Sequence, residues 1–455
     1  MAEKLQAILD SYTVRGTDTK DKLLGAAFVV VDKNGAIYSS SSGRTRVDPS
    51  SPAFTPRTVT WIASMTKLLT PIALLHFLDH QHHQEQQQNN PPITPNPPND
   101  LITLDTPTAP HLPELAAQPI LLSFTSSGSN TPPSGENETP PGEPILLPNP
   151  TPLNLRHLLT HTSGLGLDIS DPNLLRWSKH VGRTSSMLSC TIDGWTYPLC
   201  FQPGEGWYYG IGPDWAGVLL QRVTGVKLGE YLRRRCFGSG SGSGVELERT
   251  GFVLAEVLKD GGEESGEYAP VSERAAADAA DGEGNDIQGA LKQGTVPLPK
   301  QPEWESGGFG AYSCAEDVGR VLSSVLASLA GDGDSGVLKQ ETAREMLRPQ
   351  LDERQRASLR GLAWKYGTAA DVPEGIAIDH GLCGLLAMED VPGKRRKGSS
   401  WFSGLCNSRW WLDPETGIGA ALLINVTPYN DATALKLFDE LERAVYAELV
   451  PGLKG

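Results

Sequence analysis

Two turn signals, one near each end of the chain, do most to constrain the fold. Residues 26–31 (AAFVVV) form an apolar, β-branched run that meets Asp32-Lys33-Asn34-Gly35 and resumes over 36–39, and an Asn-Gly pair between such runs specifies a hairpin. Near the other end, residues 408–412, the turn Asp413-Pro414-Glu415-Thr416-Gly417 and residues 418–426 repeat the pattern. A lone hairpin is marginally stable in water, so the two are expected to share one antiparallel sheet built from both termini. Residues 61–78 and 432–449 have the length and apolar spacing of helices, and 153–159 and 214–223 predict further helices in a middle section. The expected class is α/β (α+β): an antiparallel sheet flanked by helices from residues 1–79 and 301–455, with a mostly helical domain inserted over 101–300.

Glycine (49) and proline (35) are abundant in the 455 residues, which points to long loops on a globular body. Four stretches carry this excess. Residues 80–100 (HQHHQEQQQNNPPITPNPPND) leave nothing to pack and read as a disordered insertion. Residues 123–150 and the Gly-Ser alternation 238–244 read as flexible excursions, and 259–300 as an acidic, Ala/Gly-rich segment with some helix around 272–280.

With 39 Lys and Arg against 54 Asp and Glu, the net charge of −15 excludes a generic nucleic-acid-binding surface. No apolar run is long enough to span a membrane, and the start is amphipathic (Leu5, Ile8, Leu9, Tyr12) rather than a secretory leader. The six cysteines form no CxxC pair, so reduced thiols and a cytoplasmic location are expected.

The sharpest local feature is Ser64-Met65-Thr66-Lys67. Positions three apart share a helix face, so the Lys67 amine can reach the Ser64 hydroxyl. A serine alkoxide is too rare at neutral pH to attack an acyl group, and a lysine kept neutral by burial can take its proton. As a bare pattern Ser-x-x-Lys is weak evidence, and its bland reading is a solvated lysine near a helix start. The context opposes that: Trp61, Ile62, Met65, Leu68, Leu69, Ile72, Leu74 and Leu75 surround the pair on nearly every face. Pro71, inside the same helix, clashes with the Lys67 carbonyl and predicts a kink just past the pair.

Five segments, in order, are similar to the serine β-lactamase and penicillin-binding-protein superfamily, in its class C β-lactamase-like esterase and fungal transesterase (lovastatin-pathway acyltransferase-like) branch. They are IASMTKLLT (62–70), LNLRHLLTHTSGLG (153–166), QPGEGWYYGIGPDWAG (202–217), HGLCGLL (380–386) and GSSWFSGLCNSRWWLDPETGIGA (398–420). The resemblance implies a β-lactamase/transpeptidase-like fold, with Ser64 as acyl-accepting nucleophile, Lys67 as its base and Tyr209 as the residue that shares or relays the proton. The third motif, Lys-Thr-Gly in true lactamases, is matched by Phe402-Ser403-Gly404. The oxyanion hole would then use the backbone N–H groups of Ser64 and Leu405, or of Gly404 if the register shifts by one toward Trp401; each donor is typically worth about 2.7–4 kcal/mol. Ile211 stands where lactamases carry Asn, and no Lys stands at 402, so the resemblance does not imply β-lactam turnover.

Other residues have blander readings beside functional ones. His157 and His161 are four apart but lack the intervening Glu of a zinc helix, and His161 reads as structural near a helix end. His80, His82 and His83 lie in low-complexity sequence and read as solvated. His380 reads as a core or supporting histidine first and a pocket residue second. Trp177, Trp195, Trp207 and Trp215 are core fillers by default, with Trp207 and Tyr208 expected in the pocket because they precede Tyr209. The basic run 394–397 reads as a solvated hairpin tip, with docking of an acidic carrier protein as the minority reading. The implied function is acyl transfer from an ester or thioester, including a CoA thioester or an acyl-carrier domain, to a hydroxylated small molecule of secondary metabolism. The alternatives are a carboxylesterase of the same type and a non-catalytic binding protein of the same fold. No metal or organic cofactor is called for.

Overall fold

The computed structural model describes residues 2–87, 101–125, 142–239, 243–258, 262–276, 288–331 and 336–449. Its centre is a seven-stranded antiparallel sheet in the order Gly35–Gly43, Gly25–Asp32, Ile418–Leu423, Arg409–Asp413, Ser400–Ser403, Leu385–Ala387 and Ile378–His380. The two expected hairpins meet between its second and third strands, where Ala27 pairs with Leu423 and Val31 with Gly419. Asp32 accepts the Asn34 N–H at 2.7 Å in the first turn, and Asp413 accepts the Thr416 N–H at 3.0 Å in the second.

The strand Gly25–Asp32 is buried on both faces, as its unbroken apolar run requires. Val29 and Val31 face Gly319 of the helix Ala315–Ala330. On the other face Phe28 packs against Trp411, which meets Phe438 of the helix Ala432–Ala444 edge-on. Sheet and helices share one continuous core that also takes in Trp195 and Trp215, both fully buried. Among the described residues no helix is long and apolar enough to cross a membrane.

Several expectations need correction. The helix after the first hairpin begins at Thr66, not at 61; Trp61 belongs to a short strand, Thr60–Trp61, paired with Tyr312–Ser313. That helix runs through Pro71 and on to Gln87, so the low-complexity stretch starts as helix, and its remainder, 88–100, lies outside the described residues. The stretch 101–300 also carries strands. Ile120–Phe124 pairs with Pro144–Leu147 in a hairpin at the ends of the expected excursion, whose middle, 126–141, lies outside the described residues. Residues 272–274, expected as helix, form a strand between Leu291–Gln293 and Val426–Thr427, held by the buried pair of Arg274 with Asp431. Residues 240–242, 259–261 and 277–287 of the other loop-like segments also lie outside the described residues.

The basic run is not a solvated tip. Arg395 is fully buried and paired with Glu442, and Lys394 reaches Asp439 and Glu442 at 2.6 and 3.5 Å. Only Arg396 and Lys397 are left toward solvent.

Candidate active site

Ser64 sits in a single 3-10 turn, Ala63–Met65, that leads into the helix Thr66–Gln87. Ala63 has φ 45°, in the left-handed region that L-residues avoid, so the chain bends sharply just before the serine and leaves its side chain partly exposed. Thr66 ties the bend down by donating to the Ala63 carbonyl at 2.6 Å and accepting the Ala311 N–H at 3.1 Å.

Tyr209 Oη donates to Ser64 Oγ at 2.7 Å. Tyr209 lies just before the helix Gly212–Thr224, and the Gly210 N–H beside it donates to His161 Nδ1 at 3.3 Å. The Lys67 amine lies 4.6 Å from the centre of the Tyr209 ring and donates to the Gly308 carbonyl at 2.7 Å. The three residues are thus brought together from the Ala63–Met65 turn, the helix behind it and the approach to a second helix. Burial pulls the Lys67 amine down to about 8, against the Asp214 carboxylate, which pulls it up. Burial pushes the Tyr209 phenol well above its ordinary value, a direction that Asp214 reinforces and the Ser64 hydroxyl opposes.

Ser64, Lys67 and Tyr209 line a cavity of about 290 Å³ with a mainly apolar wall. Trp207, Tyr208, Phe402 and Leu405 line it, and Tyr208 donates to Asp171 at 2.9 Å. His380 and Gly404 are not in that wall. His380 is buried behind it, 5.3 Å from the His161 ring and 6.1 Å from Trp207, with burial holding it down to about 4. Gly404 lies against the Ile62 carbonyl, where a Cβ would come within 2.4 Å, and its N–H donates to the Ser408 carbonyl at 2.8 Å. Strand alternation separates Phe402, 5.8 Å from the Tyr209 ring, from Trp401, which packs on Arg395 at 5.2 Å away from the cavity.

Some residues of the site escape sequence reasoning. His161, read as structural, has φ 60° and its ring lies 4.8 Å from that of Tyr209. Tyr366 and Tyr429 complete the cavity wall from regions with no local signal. Asp214 is fully buried and couples electrostatically to Lys67, yet an acidic residue in a first helical turn has an ordinary explanation in the helix dipole. Among the described residues no cluster of metal-ligating side chains occurs, and His157 and His161 do not form one.

Similarity to known proteins extends over most of the chain. A profile of the β-lactamase family matches residues 11–443. An acyltransferase, calJ, of Penicillium decumbens is 29% identical over 90% of this chain and 86% of its own. A lovastatin esterase of Penicillium rubens is 28% identical over 88% of each, and a monacolin J acid methylbutanoyltransferase of Aspergillus terreus is 28% identical over 86% of this chain and 82% of its own. Among solved structures, unliganded simvastatin synthase (LovD) from Aspergillus terreus superposes with a TM-score of 0.78 at 25% identity, over 98% of each chain. The chain belongs to the β-lactamase family and is an enzyme of its acyltransferase and esterase kind.

Proposed function

We propose that the protein is a serine acyltransferase that moves an acyl group from an ester or thioester, through an acyl-Ser64 intermediate, to the hydroxyl of a small molecule of secondary metabolism. The observation that carries this is the 2.7 Å contact between Tyr209 and Ser64 beside a buried lysine, in the wall of an apolar cavity. Neutral Lys67 takes the Tyr209 proton, and the phenolate takes that of Ser64 as Oγ attacks the acyl carbon. The proton returns through Tyr209 to the departing alcohol or thiol. In the second half the acceptor hydroxyl gives its proton to the same pair, attacks the acyl-enzyme and frees Ser64.

The oxyanion of each tetrahedral state is assigned to the N–H groups of Ser64 and Leu405, because the Gly404 N–H is committed to Ser408. We place the cleft between the sheet domain, 1–79 with 301–455, and the inserted segment 101–300. The donor is taken to be a small ester, a CoA thioester or a carrier-bound acyl group.

Intact-mass spectrometry after brief exposure to p-nitrophenyl butyrate, with nitrophenol release followed in parallel, tests the reading. A Ser64 adduct absent from Ser64→Ala, which turns over slowly in water and faster with added alcohols, is the expected result. Fast turnover without a lasting adduct would favour the esterase, a reading that the lovastatin esterase relative supports. An unreactive serine across acyl lengths would turn the assignment toward a binding protein.

A further inference from the structure

Asp214 occupies the first turn of the helix Gly212–Thr224 and is buried in full. Its Oδ1 accepts the Gly308 N–H at 3.0 Å and a hydrogen bond from the Ser306 hydroxyl, while its Oδ2 has no partner among the described residues. The carbonyl of that same Gly308 holds the Lys67 amine at 2.7 Å. One peptide unit on each side of a single residue therefore joins the carboxylate to the amine. Only glycine fits there, since a Cβ on residue 308 would lie 2.3 Å from Asp214 Oδ2.

A buried carboxylate with an unpartnered oxygen is costly unless a positive charge faces it. The titratable groups coupled to this corner are Lys67, Tyr209, His161, His380, Cys190 and Tyr197. Burial holds both histidines neutral, so Lys67 is the cation that faces Asp214. The influence is mutual. Burial pushes Asp214 up to about 6 while Lys67 pulls it down, and Asp214 pulls Lys67 up from where burial alone would leave it.

We infer that Asp214 is a positioning residue for Lys67: through Ser306 and Gly308 it fixes the turn whose carbonyl holds the amine, and it supplies the counter-charge that governs when the amine can accept a proton. This rests on the acyl-transfer reading above. It assigns two separable jobs to one carboxylate, geometry through Oδ1 and charge through the whole group. Asp214→Asn keeps the shape and removes the charge; Ser306→Ala keeps the charge and removes one anchor of the turn.

The test is the rate at which a fluorophosphonate probe modifies Ser64, measured against pH. Ser64 Oγ bonds the phosphorus, fluoride leaves and the serine proton passes to the Tyr209–Lys67 pair, so no cognate substrate is needed. In the wild type the rate should rise with pH to a plateau with a midpoint near 8. Asp214→Asn should move the midpoint down by about 1 pH unit and lower the plateau at least fivefold. Ser306→Ala should lower the plateau severalfold with the midpoint unmoved. A lowered plateau with the wild-type midpoint in Asp214→Asn would leave Asp214 a merely structural role and overturn the charge assignment. An unchanged plateau in Ser306→Ala would overturn the positioning, and it decides that point even if Asp214→Asn fails to fold. A wild-type Ser64 that does not react at all would instead sink the acyl-transfer reading, and this inference with it.

Discussion

Lys67 and Arg395 are both buried cations, and their surroundings treat them differently. Arg395 makes two bonds of 2.7 Å to the two oxygens of Glu442, with Trp401, Trp411 and Phe438 packed around its guanidinium. Burial pushes the Glu442 carboxyl up, but the charge and hydrogen bonds of Arg395, with the charge of Lys394, outweigh it and hold the group below its ordinary value. Among the described residues Lys67 has only a carbonyl within hydrogen-bonding distance, and no carboxylate forms an ion pair with it. Its charge is left expensive, so it gives up a proton near 8. A buried charge held against a carboxylate through two hydrogen bonds is fixed in one protonation state and serves the structure; one held only by a carbonyl can change state and serve chemistry.

Substitution should separate the two. Ser64→Ala and Lys67→Met are each expected to lower acyl transfer by about 10⁴-fold or more, since the nucleophile and its base act as a unit. Lys67→Met should at the same time lower the unfolding midpoint only slightly, because the amine is poorly compensated to begin with and Asp214, already pushed up to about 6, can take up a proton once its counter-charge is gone. Glu442→Gln should do the reverse. It strands Arg395 in the core and is expected to cost about 3–5 kcal/mol, read from the urea midpoint, while the folded fraction keeps its Ser64 reactivity. Comparable stability losses in the two variants would erase the distinction.

Much of this contrast cannot be seen along the chain. The two hairpins are local signals, so the sheet was legible from its own residues, and the one-turn spacing of Ser64 and Lys67 in an apolar setting singled out that pair. Tyr209 emerged only through resemblance, because nothing in Tyr-Gly-Ile says that its phenol will meet a serine from the far end of a different element. Asp214, Gly308 and Tyr429 were not legible, since packing between distant segments gives them their roles. Arg395 was misread for a related reason. Charge runs usually face water, and the partner that buries this one is a glutamate on the last helix.

Two finer effects follow from the under-paired site. Below about 8, where Lys67 takes up its proton and ceases to be a base, the rate of Ser64 acylation should fall about tenfold per pH unit. A flat profile between pH 6 and 8 would mean that Lys67 is not the base. Within the apolar cavity each added methylene of a p-nitrophenyl ester should raise kcat/KM by about fourfold until the space is filled, following about 0.8 kcal/mol per buried CH₂. A preference for acetate over butyrate would contradict an apolar acyl pocket.

The smallest effect is expected one residue past Arg395, the partner of Glu442, where the basic run turns outward. Arg396 pairs with Asp390 at 3.0 Å, but the two side chains are 46% and 57% exposed. Water and salt screen such a pair, and holding two long side chains in one geometry costs rotamer entropy, so the net contribution is close to nothing. The backbone around Arg396 is fixed independently, because its N–H donates to Asp413 at 3.0 Å whatever the side chain. Arg396→Ala should therefore leave the urea midpoint where it was, beside the large fall in Glu442→Gln. The same variant bears on the donor. With Lys394 and Arg395 withdrawn into the core, an acidic carrier docking here would have to use Arg396 and Lys397. Slower transfer from a carrier-bound donor in Arg396→Ala, with p-nitrophenyl ester turnover unchanged, would give this exposed half of the run a docking role; equal rates with both donors would leave it without one.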